Sequence, residues 1–220
     1  MTLALAWSGG KDSALALQAL RDGAEEPVAL LTTVTEGVER VSVHGVRREL
    51  LVAQAAAAGL PLVEARIPLP CPNEVYEAAM TRALDAPPLR DVPEIAFGDL
   101  FLADVRAYRE ERLASARPPR RARFPLWGRD TATLARAFVA AGFEAILVSV
   151  DPQQLDPAFA GRAYDDALLD DLPVGVDPCG ENGEFHTFVH AGPIFDAPLA
   201  VAVGEVVERD GFVYADVIAR

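Results

Sequence analysis

Three features of this sequence predict an α/β fold: a parallel sheet carrying helices on both faces, followed by a smaller α+β part. Through the first half of the chain, apolar runs of strand length alternate with helix-length segments of good helix formers. That alternation is the pattern of strands joined by crossover helices. A glycine turn, Ser8-Gly9-Gly10, sits between the first such run and the first helix. Parallel sheets place their ligands at such strand ends. From Phe185 onward the pattern becomes β-rich, with Asp210-Gly211 as a hairpin turn.

The elements follow in order. Leu3-Ala4-Leu5-Ala6-Trp7 is a short apolar run before Ser-Gly-Gly, which predicts a buried strand ending in a tight turn. Residues 12–22 predict a helix capped by Asp12 or Ser13, with Leu15, Leu17 and Leu20 on its buried side. A strand is expected at 27–34, a helix at 46–58 closed by Gly59-Leu60-Pro61, and a third strand at 62–67. Residues 73–84 predict a helix, 94–97 a short strand ending at Gly98-Asp99, and 105–114 another helix. The basic, proline-rich stretch 117–123 breaks the pattern and predicts a linker, dividing the chain into 1–120 and 121–220. Beyond it, helices are expected at 130–141 and 165–172, and strands at 145–150, 185–189, 200–208 and 212–218. There is no internal repeat.

A chain of 220 residues buries roughly 70% of its unfolded surface, so a core forms without disulfides or metals. Apolar residues at 51% and charged residues at 24% are ordinary for a globular protein. No apolar run reaches the ~20 residues of a membrane span, and the start of the chain lacks the features of a secretory signal. Two cysteines, Cys71 and Cys179, make no secreted disulfide framework. A cytoplasmic protein is expected. The formal net charge of −13 repels polyanions and argues against general nucleic-acid binding. All but one of the 20 basic residues are arginine, and the exception is Lys11. An ammonium in a chain that otherwise uses guanidinium groups suggests a specific task there.

Lys11 belongs to Ser8-Gly9-Gly10-Lys11-Asp12-Ser13, between the first strand and the first helix. Two glycines let the backbone turn tightly and aim N–H groups at one point. The helix N-terminus adds positive partial charge. Ser8 and Ser13 add hydroxyls, and Lys11 a full charge. Together they make an anion cradle suited to phosphates. It is not a Walker A loop, because Asp12 follows Lys11 where that motif needs serine or threonine. A carboxylate in a phosphate cradle makes chemical sense when it helps hold Mg2+. A glycine turn before a capped helix is the plain structural alternative.

The six-residue string resembles the pyrophosphate loop, SGGxDS, of the N-type ATP pyrophosphatases, which cleave ATP between its α and β phosphates. Ser42-Val43-His44-Gly45, Phe97-Gly98-Asp99, Phe124-Pro125-Leu126-Trp127-Gly128 and Gly180-Glu181-Asn182-Gly183-Glu184-Phe185 extend the resemblance. They are similar to the diphthine–ammonia ligase (diphthamide synthase) family and its bacterial relatives, over nearly the whole chain. The resemblance implies a HUP-like (adenine nucleotide alpha hydrolase-like) ATP-binding domain at 1–120 and a smaller substrate-binding domain at 121–220. ATP and Mg2+ would sit on Ser8, Gly9, Gly10, Lys11, Asp12 and Ser13. His44, Gly98 and Asp99 would lie near the nucleotide, and Asp12 toward the metal. The implied reaction is an AMP- and pyrophosphate-forming ligation. A small-molecule or protein carboxylate is adenylated and passed to ammonia or another amine. A homodimer is compatible with this reading, and no membrane is involved.

A second polar segment, Cys179 to Phe188, is dense in glycine before it becomes a strand. On a strand from Glu184, alternate residues share one face, which aligns Glu184, His186 and His190. Such groups can orient an amine, take its proton or bind a metal. A zinc site is the weaker reading, because the ligands are too few. Lys11, Asp12, Glu181, Glu184 and His186 are therefore the expected catalytic residues. Asn182 and His186 depart from the family string E-G-G-E-[YF]-E-T, so a small carboxylate fits as well as diphthine does. Arg106, Arg109 and Arg112 read as a solvated helix side. The arginines of 117–123 read as a solvated linker rather than a loop closing over phosphates, and Trp127 as a packing anchor. Two other functions fit the loop. One is an ATP-binding module without ligase activity. The other is RNA sulfur transfer through Cys71 and Cys179.

Overall fold

The structure, a computed structural model, describes residues 2–41 and 44–220. Its first part runs β1 (Leu3–Ala6), α1 (Lys11–Asp22), β2 (Leu30–Thr35), β3 (Arg40–Val41), α2 (Arg48–Ala57), β4 (Leu62–Ile67), α3 (Asn73–Asp85), β5 (Glu94–Ala96), α4 (Ala103–Ser115) and β6 (Arg121–Arg123). The parallel strands stand in the order β4-β2-β1-β5-β6, and β3 adds a short antiparallel pair at the end of β2. The chain thus builds outward from β1 through β2 to β4, then crosses back to lay β5 on the other side of β1. The carboxyl ends of β1 and β5 flank the switch point, where open α/β sheets bind ligands. The fold is the HUP-like α/β architecture that the sequence predicts.

The second part holds α5 (Thr131–Ala140), β7 (Glu144–Val150), α6 (Asp166–Asp171), β8 (Phe185–Ala191), β9 (Val201–Arg209) and β10 (Phe212–Ala219). Its strands are antiparallel, in the order β8-β7-β10-β9. Asp210 and Gly211 both take positive φ and close the β9–β10 hairpin.

The period of 2 in β1 explains how the parts join. Leu3, Leu5 and Trp7 face a core that includes Phe138, Leu147, Phe185 and Phe188 of the second part. Ala4 faces the opposite core with Leu31, Leu89, Ile95 and Leu113. Each fully buried leucine contributes about 2 kcal/mol, so the two parts stabilise each other through one shared core.

Two local expectations are corrected. The 117–123 stretch is not a linker. Arg120 is buried and donates to the Leu84 and Arg90 carbonyls at 2.9 and 3.3 Å. A guanidinium has five donors and can satisfy several carbonyls at once. Residues 121–123 then form β6 beside β5, and Arg123 reaches Glu25 at 2.6 Å. The start of α1 also differs. It begins on Gly10 with no side-chain cap, so neither Asp12 nor Ser13 caps it. Asp130 does cap α5, accepting from the Thr133 N–H. Among the described residues, no helix is long and apolar enough to cross a membrane.

Candidate active site

Gly9 takes φ +79°, a conformation that favours glycine. Its carbonyl accepts from the Val189 N–H at 2.9 Å and from Gln54 Nε2 at 3.0 Å. The Gly10 N–H donates to Ser8 Oγ at 3.2 Å, and the Lys11 N–H to Thr187 Oγ1 at 3.0 Å. The glycine loop is therefore gripped by β8 as firmly as by its own atoms. Behind it stands Gly98, at the end of β5. A Cβ there would lie 2.8 Å from the Asp12 backbone, so only glycine lets β5 approach α1 this closely.

The loop, the end of β5 and the 179–187 segment enclose a cleft of about 360 Å³. Ser8, Gly10, Lys11, Asp12 and Ser13 line it, together with His44, Gly98, Asp99, Glu181 and His186. The structure thus gathers most of the expected site residues from four separate stretches of chain. Gly9 supports the loop from behind. Ser42 and Val43 of the expected His44 segment lie outside the described residues.

Lys11 is buried, and its Nζ donates to both carboxylate oxygens of Asp12, at 2.9 and 2.8 Å, and to the Cys179 carbonyl. The ammonium clasps the glycine loop to the second polar segment. Burial opposes its charge, but Asp12, Cys179 and Glu181 outweigh that and hold its pKa above the ordinary lysine value. Burial raises the Asp12 carboxyl, with Lys11 offsetting part of the effect. Asp99 is engaged by Arg109, Nε to Oδ2 at 2.8 Å.

Glu181 accepts from the Leu100 N–H at 2.7 Å. Burial pushes its pKa up to about 7, with the Leu100 hydrogen bond opposing and Asp12 adding to the rise. His186 lies with its ring 4.3 Å from that of His44. Burial first, then His44 and Lys11, drive its pKa well below the ordinary value, so it is a neutral imidazole.

Glu184 has a different place. Its carboxylate accepts from the Asp177 N–H at 2.9 Å, the Asn182 N–H at 3.0 Å and Asn182 Nδ2 at 3.0 Å. It braces the 177–184 loop from inside and does not line the cleft. The Tyr164 hydroxyl adds a bond to the Pro178 carbonyl at 2.6 Å. The expected alignment of Glu184, His186 and His190 does not form. Strand β8 begins only at Phe185, and an irregularity opposite it between Leu147 and Ser149 accompanies Thr187 and His186 both reaching the cleft. His190 lies beside Glu144, at 3.9 Å.

Sequence reasoning missed four contributors. Gln54, Thr187 and Arg109 are described above, and Tyr76 of α3 forms part of the wall. Gln54 carried a signal, since it falls on the buried stripe Leu50-Leu51-Gln54-Ala55 of α2. Arg109 carried none. It recurs at the same spacing as Arg106, which pairs with Glu110, and Arg112, which pairs with Glu77. Trp127 packs under Arg106, 4.7 Å from its ring centroid.

Residues 1–112 match the family profile described as the diphthamide synthase N-terminal domain. Residues 130–216 match that of the diphthamide synthase C-terminal domain. The chain belongs to the diphthamide synthase family. Among its relatives is the diphthine–ammonia ligase of Rattus norvegicus, 33% identical over 97 residues that make up 42% of this chain and 36% of the relative. The diphthine–ammonia ligases of Bos taurus and Homo sapiens are 32% identical over the same shares. This chain thus matches little more than a third of the length of those ligases.

The donor set bears on a metal. Among the described residues, no group of three or more His, Cys, Asp or Glu gathers to hold an ion. Mg2+ commonly takes one or two carboxylates and completes its shell with phosphate oxygens and water. Asp12, on the glycine loop, fits that requirement.

Proposed function

We propose that this protein is an ATP-dependent, AMP- and pyrophosphate-forming ligase that joins a carboxylate to ammonia or another amine. One observation carries the reading. A single cleft holds an uncapped helix N-terminus behind a glycine turn, and a carboxylate, Glu181, with a pKa of about 7. The first suits phosphates. The second suits a base for an amine near neutral pH.

In this reading, the first part of the chain, which ends with β6, binds ATP, and the second part supplies the acyl and amine sites. The triphosphate lies against Ser8, Gly10 and Ser13. Asp12 would hold Mg2+, which when bound offsets phosphate charge. The substrate carboxylate attacks the α-phosphorus and pyrophosphate leaves. The helix dipole and loop N–H groups stabilise the charge on that leaving group. The amine then attacks the acyl carbon, AMP departs, and Glu181 takes the amine's proton. The Leu100 N–H holds the Glu181 carboxylate, and Asp177 accepts its backbone N–H at 3.0 Å. The base is thus oriented before substrate arrives. His186 and His44 form the wall beside it, where a neutral His186 can hydrogen-bond without adding charge. Lys11 positions both loops rather than offering a free cation.

The acyl substrate follows from the relatives by analogy: diphthine, a carboxylate on a protein, or a smaller acid in its place. Sulfur transfer gains no support. Burial pushes the Cys179 thiol up to about 12, and it donates to the Thr131 carbonyl. A protonated thiol is a poor nucleophile.

The test is incubation with MgATP, ammonium and a panel of carboxylates, with nucleotides separated by chromatography. AMP and pyrophosphate from the natural protein, absent with Asp12→Asn, are expected. ADP as product, or ATP bound but unchanged with every acid including a diphthine-bearing protein, overturns the ligase reading.

A further inference from the structure

We infer that Gln54 is a positioning residue that latches the Gly9–Gly10 peptide in its anion-binding orientation, an inference that rests on the loop binding the phosphates of ATP. Gln54 is fully buried within α2. Its Oε1 accepts from Trp7 Nε1 at 3.0 Å, and its Nε2 donates to the Gly9 carbonyl at 3.0 Å and the Val189 carbonyl at 2.5 Å. One side chain thus ties the exit of β1, the glycine loop and β8 together. A buried amide makes such bonds only where the chain needs them, because leaving it unpaired is costly.

The consequence for the loop is geometric. In a trans peptide the C=O and the following N–H point in opposite directions. Gln54 and the Val189 N–H pin the Gly9 carbonyl away from the cleft, so the Gly10 N–H turns to the cleft side, beside Ser8 Oγ. Two adjacent glycines make a flip of this peptide easy. A flipped peptide would aim a carbonyl oxygen at the phosphates. Gln54 also lies close enough to exclude a side chain at position 9, since a Cβ there would lie 2.6 Å from its Oε1.

The test compares Gln54→Met, which keeps the volume and loses all three bonds, with Gln54→Glu, whose acid form restores one donor. Phe138→Leu, in the shared core but outside the cleft, controls for general loss of stability. Amide hydrogen exchange of residues 8–13, without nucleotide, is expected to quicken at least tenfold in Gln54→Met and to be unchanged in Phe138→Leu. The MgATP Kd should rise at least tenfold in Gln54→Met and less in Gln54→Glu. Loop exchange within twofold of the natural protein overturns the latch. Faster exchange with an unchanged Kd overturns its role in orienting phosphate binding. If the natural protein binds no MgATP while Gln54→Met still loosens the loop, the ATP reading falls and the latch stands.

Discussion

The glycine loop at 8–13 and the polar loop at 177–184 face each other across one cleft, yet different physics shapes them. The first is a backbone device. Gly9 at φ +79°, a helix start without a side-chain cap, and Gly98 pressed against Asp12 leave no room for side chains. The second is a side-chain device. The Glu184 carboxylate collects three donors, Asp177 takes the Glu181 N–H, and Tyr164 holds Pro178. A backbone-built loop is broken by volume. A carboxylate-built loop is broken by changing charge or hydrogen-bonding capacity. Lys11 belongs to the first and bonds to the second, so it couples the two.

The largest expected effect is steric. Gly98→Val drives a branched side chain into the Asp12 backbone, which lies 2.8 Å from even a Cβ. AMP formation should fall more than a hundredfold, about 2.7 kcal/mol in transition-state terms. In the polar loop, Gly183 has φ +88° but open space around it. Gly183→Ala should cost only about 1 kcal/mol in thermal melting. Equal effects at the two positions would erase the distinction drawn between the loops.

Next comes the clasp. Lys11→Met strips the partner from Asp12 and from the Cys179 carbonyl. Removing one member of a fully buried pair costs about 3–5 kcal/mol. Because Asp12 is 30% exposed, about 2–3 kcal/mol is expected from denaturant melts. Hydrogen exchange should quicken in both loops at once. Loosening of one loop alone would show that Lys11 does not couple them.

Glu184 and Glu181 should respond in opposite senses. Glu184→Gln puts an NH2 where a carboxylate oxygen accepts N–H groups, and should lose about 2 kcal/mol. Glu181 has a folded pKa of about 7 against 4.5 when unfolded. Between those values the folded state holds the extra proton, so this group's contribution to stability falls as pH rises through the window, then stays constant above it. Glu181→Gln should therefore melt higher than the natural protein at pH 8, by on the order of 2 kcal/mol, with the gain gone near pH 4. Turnover with ammonium should rise through pH 7 in the natural protein, and this rise should vanish in Glu181→Gln. A pH profile that this substitution leaves unchanged would remove Glu181 as the base.

The smallest effect tests a part of the molecule away from the cleft. Asp130→Ala removes the α5 cap, which should cost about 1 kcal/mol in melting and leave AMP formation unchanged.

The contrast between the loops also explains which residues could be read in advance. A backbone device needs particular residue types in adjacent positions, so Ser8-Gly9-Gly10-Lys11-Asp12-Ser13 announces it locally. The apolar run Leu3-Ala4-Leu5-Ala6-Trp7 likewise announces a buried strand, and the structure shows its neighbouring side chains serving cores on opposite faces of the sheet. Glu184, expected from the sequence as a catalytic residue, is instead a brace, since its partners Asp177 and Asn182 meet it only through the loop's closure. The linker expectation at 117–123 failed for a related reason. Charge and proline predict solvation until buried carbonyls, here those of Leu84 and Arg90, draw Arg120 inside.

The sequence by itself determined the order of strands and helices apart from the short strands β3 and β6, the phosphate-type loop and its place at a strand end. Those depend on periodicity and on conformational preferences that act over a few residues. Only the tertiary structure decided that β8 grips the glycine loop, that Lys11 serves Asp12 and Cys179, that Arg109 rather than its neighbours turns to Asp99, and that Gln54 holds Gly9. Each of those choices joins groups distant in sequence, and burial makes an unpaired donor or acceptor too costly to leave without a partner.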